Sequence, residues 1–562
     1  MIDLSFLIKV ILPAVVFAGI ILAADRPAGN ASAGRSVVLA RNGMVAASQP
    51  LAAQAGLRML QNGGNAVDAA VATAAALAVV EPMMTGPGGD MFALAWMSKS
   101  KKLVGLNGSG FSPEAATMDF FKKRGMESIP ATGPMAVSIP GAVDGWATLL
   151  EAHGTMSLAE VLAPAIEYAE QGFPVSEIIA GDWKRYGPQH AGKTEFAKAY
   201  LKNGEPYAHG DVFVNKDLAK TLRQIAEGGR DAFYKGEFAQ RMVDYLNRHE
   251  WPVTMEDLAY QHSDWVEPIS TTYKGVKLYE LPPNGQGMAA LEMLNILEGF
   301  DLKQMGHNSS AYLHHLIEAK KLAFADLGAW LADPERAKLP VDRIISKKYG
   351  EQQRRRIDPA RAAQTVDTGI REAVEWLPRT GDTVYLTVVD KDRNAVSFIN
   401  SIFLAWGSGM VVPDTGVILH NRGALFNLKP EHPNRLEGRK RPYQTIIPAM
   451  AFKDDKPWLS FGVMGGDMQP QGHVQVLLNM LEFGMNVQEA GEASRFRHNF
   501  GEGVALESGI DPTTVTELSR MGHDVVWRPG IFGGYQAIEI DWENGVLKGG
   551  TDPRKDGQVA AW

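Results

Sequence analysis

Cysteine is absent from all 562 residues. That excludes disulfides, thiolate zinc sites, iron–sulfur clusters and a cysteine nucleophile. It leaves the chain compatible with an oxidising compartment without requiring one. Neither a G-x-S-x-G elbow nor an H-E-x-x-H motif occurs, which removes two common hydrolytic designs. Gly86-Pro87-Gly88-Gly89 lacks the Lys-Ser/Thr pair of a phosphate loop and reads as a turn. His314-His315 falls on an expected helix, where adjacent side chains point in different directions. It reads as an ordinary satisfied pair, so no metal and no cofactor are expected. Long basic runs are missing too. Arg354-Arg355-Arg356 reads as a solvated helix face and Arg439-Lys440-Arg441 as an exposed loop, with the net charge of −8 spread widely. Nucleic acid is therefore not an expected partner.

The chain is also short of long apolar runs. Val10 to Ala24 is nearly all apolar, yet shorter than the ~20 residues of a membrane-spanning helix. With Lys9 before it, the run fits a secretory signal, with cleavage after Ala24 or after Ala33. Residues 1–33 are thus expected to be a signal peptide or N-terminal extension of a periplasmic or secreted protein. The alternatives are an uncleaved N-terminal anchor or an upstream extension of a cytoplasmic protein. No cysteine follows, so a lipid anchor on cysteine is excluded.

What is present is a packed enzyme-like composition. Apolar residues make up 45% of the chain, and the length exceeds an ordinary single core. Val37–Ala40 reads as a strand, a helix starts near Ser48, and an Ala-rich helix spans Ala66–Val80. Phe92–Trp96 reads as a strand, and residues 150–350 as mainly helical. Residues 350–380 look polar and exposed. Strands and glycine turns dominate beyond residue 383, with helices near 472–484 and 511–522. Pattern alone leaves α/β and α+β both open.

Thr383 is the most informative residue. It stands in Gly381-Asp382-Thr383-Val384-Tyr385-Leu386-Thr387-Val388-Val389-Asp390, where a loop becomes a strand rich in β-branched and apolar residues. Asp390–Asn394 reads as a turn and Ala395–Ile402 as the returning strand. If the Asp382–Thr383 bond is cut, Thr383 carries a free amine beside its hydroxyl, so one residue supplies base and nucleophile. Gly465-Gly466 follows an expected strand, Leu459–Val463, and glycine there lets backbone N–H groups approach an oxyanion closely. The alternative is a tight turn.

The order Thr383–Asp390, Asn394–Ser397, Trp406-Gly407-Ser408-Gly409, Lys440-Arg441-Pro442, Gly465-Gly466 and Thr551–Arg554 resembles the γ-glutamyltransferase (glutathione hydrolase) family of N-terminal nucleophile hydrolases. Asn62–Ala72, Gly86–Asp90, Ser138–Gly141, Glu318–Asp326 and Arg495–His498 match as well. The resemblance implies an α+β fold, a four-layer αββα sandwich formed jointly by a large subunit, residues 34–382, and a small subunit, residues 383–562. It implies a small-molecule amide substrate, cleavage at Asp382–Thr383, two subunits from one precursor, and room for a dimer of heterodimers. Thr383, Gly465 and Gly466 become the catalytic set, and Ser401 a second hydroxyl steadying the nucleophile. An unprocessed relative that only binds a ligand is the alternative of another class.

The chain departs from that family in the acyl pocket. The resemblance, followed through Pro113, puts Ser109 where an arginine would hold a substrate α-carboxylate. Phe403 replaces an asparagine, Leu425 an aspartate facing the α-ammonium, and Gln444-Thr445 a pair of serines. Arg422 becomes the candidate for an anionic acyl group, the alternative being a structural salt bridge. This is similar to the branch with cephalosporin-acylase-like and oxamate-amidohydrolase-like members, acting on glutaryl- or oxamate-type amides.

Overall fold

The computed structural model describes residues 34–368, 383–499, 503–526 and 532–562. Residues 34–37 have no regular secondary structure. From Val38 to Trp562 the chain is one compact unit built on two seven-stranded sheets. In chain order the strands are β1 (Val38–Ala40), β2 (Met44–Ala47), β3 (Asp90–Met97), β4 (Lys102–Gly108), β5 (Asp264–Val266), β6 (Ile269–Tyr273) and β7 (Val276–Glu280). They continue as β8 (Val384–Val389), β9 (Ala395–Ser401), β10 (Ala449–Lys453), β11 (Lys456–Val463), β12 (Tyr535–Asp541), β13 (Val546–Thr551) and β14 (Gln558–Ala561). One sheet runs β1-β13-β12-β11-β10-β7-β6 and the other β14-β2-β8-β9-β3-β4-β5. Every pairing in both is antiparallel.

The sheets stack face to face and helices cover both outer faces. Tyr385, Val389, Ala395 and Ile399 meet Met450, Ile538 and Leu547 between the sheets. Val384, Leu386, Val388, Val396 and Phe398 point the other way, into a core shared with helices α1 (Pro50–Gln61) and α2 (Ala66–Val80). This is why β8 reads as an unbroken apolar run: both faces are buried, so the alternation of a half-exposed strand is lost. Helices α3 (Gly287–Leu297) and α4 (Met468–Leu481) pack on the opposite sheet, completing the four-layer αββα sandwich. Helix α2 is buried throughout and starts with a capping box between Asn65 and Asp68. Each sheet mixes strands from before and after Thr383, so scission there would leave two interlocked chains.

Residues 150–350 are mainly helical, as expected, with the short strands β5, β6 and β7 extending the sheets there. Two expectations need correction. Lys440 and Arg441 are buried rather than on an exposed loop, since Lys440 Nζ donates to the carbonyls of Pro433 and Arg435. Of the three consecutive arginines, Arg355 and Arg356 are exposed as expected, while Arg354 is half-buried. It donates to the carbonyls of Ile296 and Asn295, while Arg356 donates to the Asp367 carbonyl.

Candidate active site

Thr383 directly precedes β8 and is 1% exposed. Side chains alternate along a strand, so Thr383 shares its face with Tyr385 and Val389, toward the other sheet. Ser401 ends the neighbouring strand β9 on the same face. The two hydroxyl oxygens stand 3.1 Å apart. Ser401 Oγ also accepts the backbone N–H of Phe403 at 2.9 Å, which occupies one lone pair and orients the hydroxyl. Phe403 adopts φ +76°, an uncommon conformation for a non-glycine residue that points to a position shaped by its surroundings. Asp382 lies outside the described residues, so the bond proposed for scission has no geometry here.

The glycine pair lies where strand β11 gives way to helix α4. Here β11 crosses close to β8: a Cβ on Gly462 would lie 2.5 Å from the Tyr385 ring. Gly465 and Gly466 have φ +118° and +61°, which only glycine adopts without strain. Their carbonyls accept from Met468 N and Gln469 N at the start of the helix. Among the described residues neither glycine N–H donates to another protein group. A sharp turn and a pair of uncommitted donors are therefore the same structure, and the two readings of this motif do not compete.

The remaining predicted residues form one connected cluster. Asp90 is the cross-strand partner of Ser401. Its Oδ1 accepts the Gly110 N–H at 2.9 Å and its Oδ2 accepts Gln444 Nε2 at 2.9 Å. Arg422 is fully buried. Its Nη1 donates to Thr445 Oγ1 at 2.7 Å, and its Nε stands 4.0 Å from Asp90 Oδ2. The guanidinium carbon lies 4.8 Å from the Phe403 ring centre. Among the described residues Nε and Nη2 find no hydrogen-bond partner. Burial pushes the Arg422 pKa down to about 10, with Asp90 opposing the shift, so the group is cationic at neutral pH. Beside it, burial also lowers the His420 pKa. His420 Nε2 faces the Ser138 carbonyl at 3.0 Å, while Nδ1 lies 3.3 Å from the Arg422 N–H. Nδ1 also stands 3.5 Å from Asp90 Oδ2, which opposes that lowering.

An arginine does stand beside Ser109, but it comes from the downstream half. Arg441 Nη1 donates to Ser109 Oγ at 3.1 Å and to Asn107 Oδ1 at 3.2 Å. Its Nη2 pairs with Asp264 Oδ2 at 2.5 Å. That charge is already matched. Leu425 is 4% exposed and closes the short turn Arg422–Leu425. The carboxylate that would face an ammonium is thus absent there.

Sequence reasoning missed Gln286 and the central place of Asp90. Gln286 Nε2 donates to the carbonyls of Thr445 at 2.6 Å and Gly466 at 2.9 Å. It joins the acyl-pocket residues to the glycine turn. Asp90 closed a family-matching stretch, Gly86–Asp90, without being given a role, and nothing local marks Gln286 after Pro282-Pro283.

Among the described residues, His314, Glu318 and His523 bring ligand-type atoms within 4.8 Å of one another. These atoms already have partners. His314 Nδ1 lies 2.8 Å from His523 Nε2, and Glu318 Oε1 takes Lys321 Nζ at 2.7 Å. The Lys321 ammonium opposes a second cation at that carboxylate.

The family model described as gamma-glutamyltranspeptidase matches residues 52–562. The chain is 40% identical over 530 residues to a glutathione hydrolase-like proenzyme of Bacillus subtilis (strain 168), covering 92% of this chain and 98% of that one. It is 33% identical over 536 residues to the oxamate amidohydrolase proenzyme of Klebsiella pneumoniae, covering 93% and 98%. The crystal structure of cephalosporin acylase from Bacillus halodurans superposes with TM-score 0.89 at 42% identity, covering 96% of this chain and 99% of that one. Joined to the paired hydroxyls at the head of β8 and the glycine turn opposite, these likenesses identify the chain as a member of the gamma-glutamyltranspeptidase family of N-terminal nucleophile amidohydrolases.

Proposed function

We propose that this enzyme is a self-processing amidohydrolase whose preferred acyl group carries a carboxylate but no α-ammonium, such as a glutaryl or oxamate-type group. Maturation begins when the Thr383 hydroxyl attacks the Asp382 carbonyl. The acyl group moves from nitrogen to oxygen, and water hydrolyses the ester. This frees the Thr383 amine and divides the chain at that bond, leaving residues 383–562 as the small subunit and, once residues 1–33 are removed, residues 34–382 as the large one. In turnover the amine takes the hydroxyl proton as the oxygen attacks the substrate amide. The unperturbed pKa of an α-amine, about 8, suits that role near neutral pH. Ser401 orients the hydroxyl, and the Gly465 and Gly466 N–H groups receive the tetrahedral oxyanion. The amine product leaves with the proton. Water, or an acceptor amine, then resolves the acyl-enzyme.

The observation that carries the specificity reading is Arg422, a buried cation with two guanidinium nitrogens outside any hydrogen bond. They offer a two-toothed contact to a carboxylate. A substrate ammonium beside Leu425 would instead be buried without a partner, at a cost of several kcal/mol. The oxamate amidohydrolase and cephalosporin acylase relatives support the same direction, whereas the glutathione hydrolase relatives favour γ-glutamyl amides. Steady-state kinetics on a glutaryl and a γ-glutamyl amide with one shared leaving group decides between them. The glutaryl compound is expected to have the higher kcat/KM. A roughly tenfold preference for the γ-glutamyl compound, about 1.4 kcal/mol, would reverse the reading.

A further inference from the structure

Gln286 is fully buried. It belongs to the upstream half, in the turn between β7 and helix α3. Both groups it serves belong to the downstream half. An amide nitrogen has two protons, and here one goes to the Thr445 carbonyl and the other to the Gly466 carbonyl. Among the described residues its Oε1 accepts no hydrogen bond, so the side chain acts there as a donor only. Thr445 is in turn the residue that receives Arg422 Nη1. Gly466 belongs to a turn of two consecutive positive-φ glycines, where no Cβ restrains the peptide planes. Its carbonyl is held by two bonds, from Gln286 Nε2 and from Gln469 N at 3.1 Å.

We propose that Gln286 is a positioning residue that couples the acyl-carboxylate pocket to the oxyanion turn. The path runs from Arg422 through Thr445 and the Gln286 amide to Gly466. Holding the Gly466 carbonyl fixes the Gly466–Asp467 peptide, and so limits how the preceding Gly465–Gly466 peptide, whose N–H meets the oxyanion, can turn about the Gly466 Cα. Holding the Thr445 carbonyl keeps Arg422 and that turn in one register. The inference rests on the reading of Arg422 and Gly465-Gly466 given above. It adds that the upstream half contributes to oxyanion stabilisation without touching the substrate.

Gln286→Glu keeps the shape and removes the two donors, and Gln286→Met keeps the length without a buried charge. Both are purified as the full chain, and their fraction of processed enzyme is read by intact mass. Both substrates of the previous section are then assayed per processed enzyme. The expected result is a fall in kcat of about 30- to 100-fold with KM within threefold, because only the transition state carries the oxyanion. If a variant stays a folded precursor, the rate of self-cleavage is compared instead, with the same expected loss. A kcat or cleavage rate within threefold of the unsubstituted enzyme in either variant overturns the proposal. So does a loss that appears only as fewer folded molecules with unchanged kcat per processed enzyme. The two readings fail differently. If Arg422 does not select the acyl group, the γ-glutamyl amide becomes the better substrate while the kcat loss at Gln286 persists with it.

Discussion

Replacing Arg422 by methionine removes a buried cation and keeps a stem of similar length. Three features set the size of the effect. Arg422 is fully buried, its Nη1 holds Thr445 at 2.7 Å, and its Nε lies 4.0 Å from Asp90 Oδ2. Asp90 keeps the Gly110 N–H and Gln444 Nε2 in the variant, so its carboxylate is not stripped of hydrogen bonds. A hydrogen bond to a charged group contributes about 1.5–3 kcal/mol, and removing one partner of a buried pair costs about 3–5 kcal/mol. A loss of about 3 kcal/mol in transition-state binding corresponds to a drop of roughly 150-fold in kcat/KM for a glutaryl amide. A butyryl amide with the same leaving group has no carboxylate to lose and should fall by less than about fivefold, the share owed to altered packing around Phe403 and Thr445. Measuring kcat/KM for both substrates in both enzymes separates the charge from the packing. Equal losses on the two substrates would refute the reasoning and make Arg422 a structural partner of Asp90.

Thr383→Ala should remain one chain and lose activity on intact mass and turnover assay, and cleavage of that variant at the same bond would remove Thr383 from the mechanism. Ser401→Ala keeps the strand pairing but removes the hydroxyl 3.1 Å from Thr383 Oγ1, so kcat per folded enzyme should fall about 10- to 100-fold, with a lowered melting temperature because the buried Phe403 N–H loses its acceptor. Stability should decline as pH falls from about 6.5 toward 4, because burial holds the His190 pKa down to about 4 with Lys193 Nζ 3.0 Å from its Nδ1. The unfolded chain binds that proton below about 6.5 while the folded chain refuses it, which places the loss on the acid side; His190→Gln should flatten the melting-temperature profile in this window. Export should remove residues up to Ala24 or Ala33, and fractionation that finds the intact N-terminus in the cytoplasm would contradict it.

Local signals in the sequence were strongest where one residue type has one structural use. The Ala-rich pattern 66–80 matches helix α2 residue for residue, since alanine favours helix and fits between close layers. The positive-φ turn at Gly465-Gly466 was legible because few other residues adopt it. The start of a doubly buried strand at Thr383 was legible from its unbroken β-branched and apolar run. The signal was weaker for β5, β6 and β7, which carry few residues each, and for Lys440-Arg441. Long charged side chains are buried only where carbonyls and carboxylates receive them. Lys440 finds the carbonyls of Pro433 and Arg435 a few residues back in its own folded loop, whereas Arg441 finds Ser109 and Asp264 far away in the chain.

By residue chemistry and short pattern the sequence itself marked Thr383 as the candidate nucleophile and Gly465-Gly466 as a turn. The layered α+β architecture and the missing aspartate at Leu425 came from the family resemblance, since pattern alone left α/β and α+β both open. Only the tertiary structure decided that Arg441 stands beside Ser109 already paired with Asp264, and that Gln286 ties Thr445 to Gly466. The Arg441–Asp264 and Gln286–Gly466 contacts join residues that lie 177 and 180 positions apart. The physical reason is that hydrogen-bond partners are assigned when the sheets stack, by burial that leaves each polar group only its nearest neighbour to satisfy it.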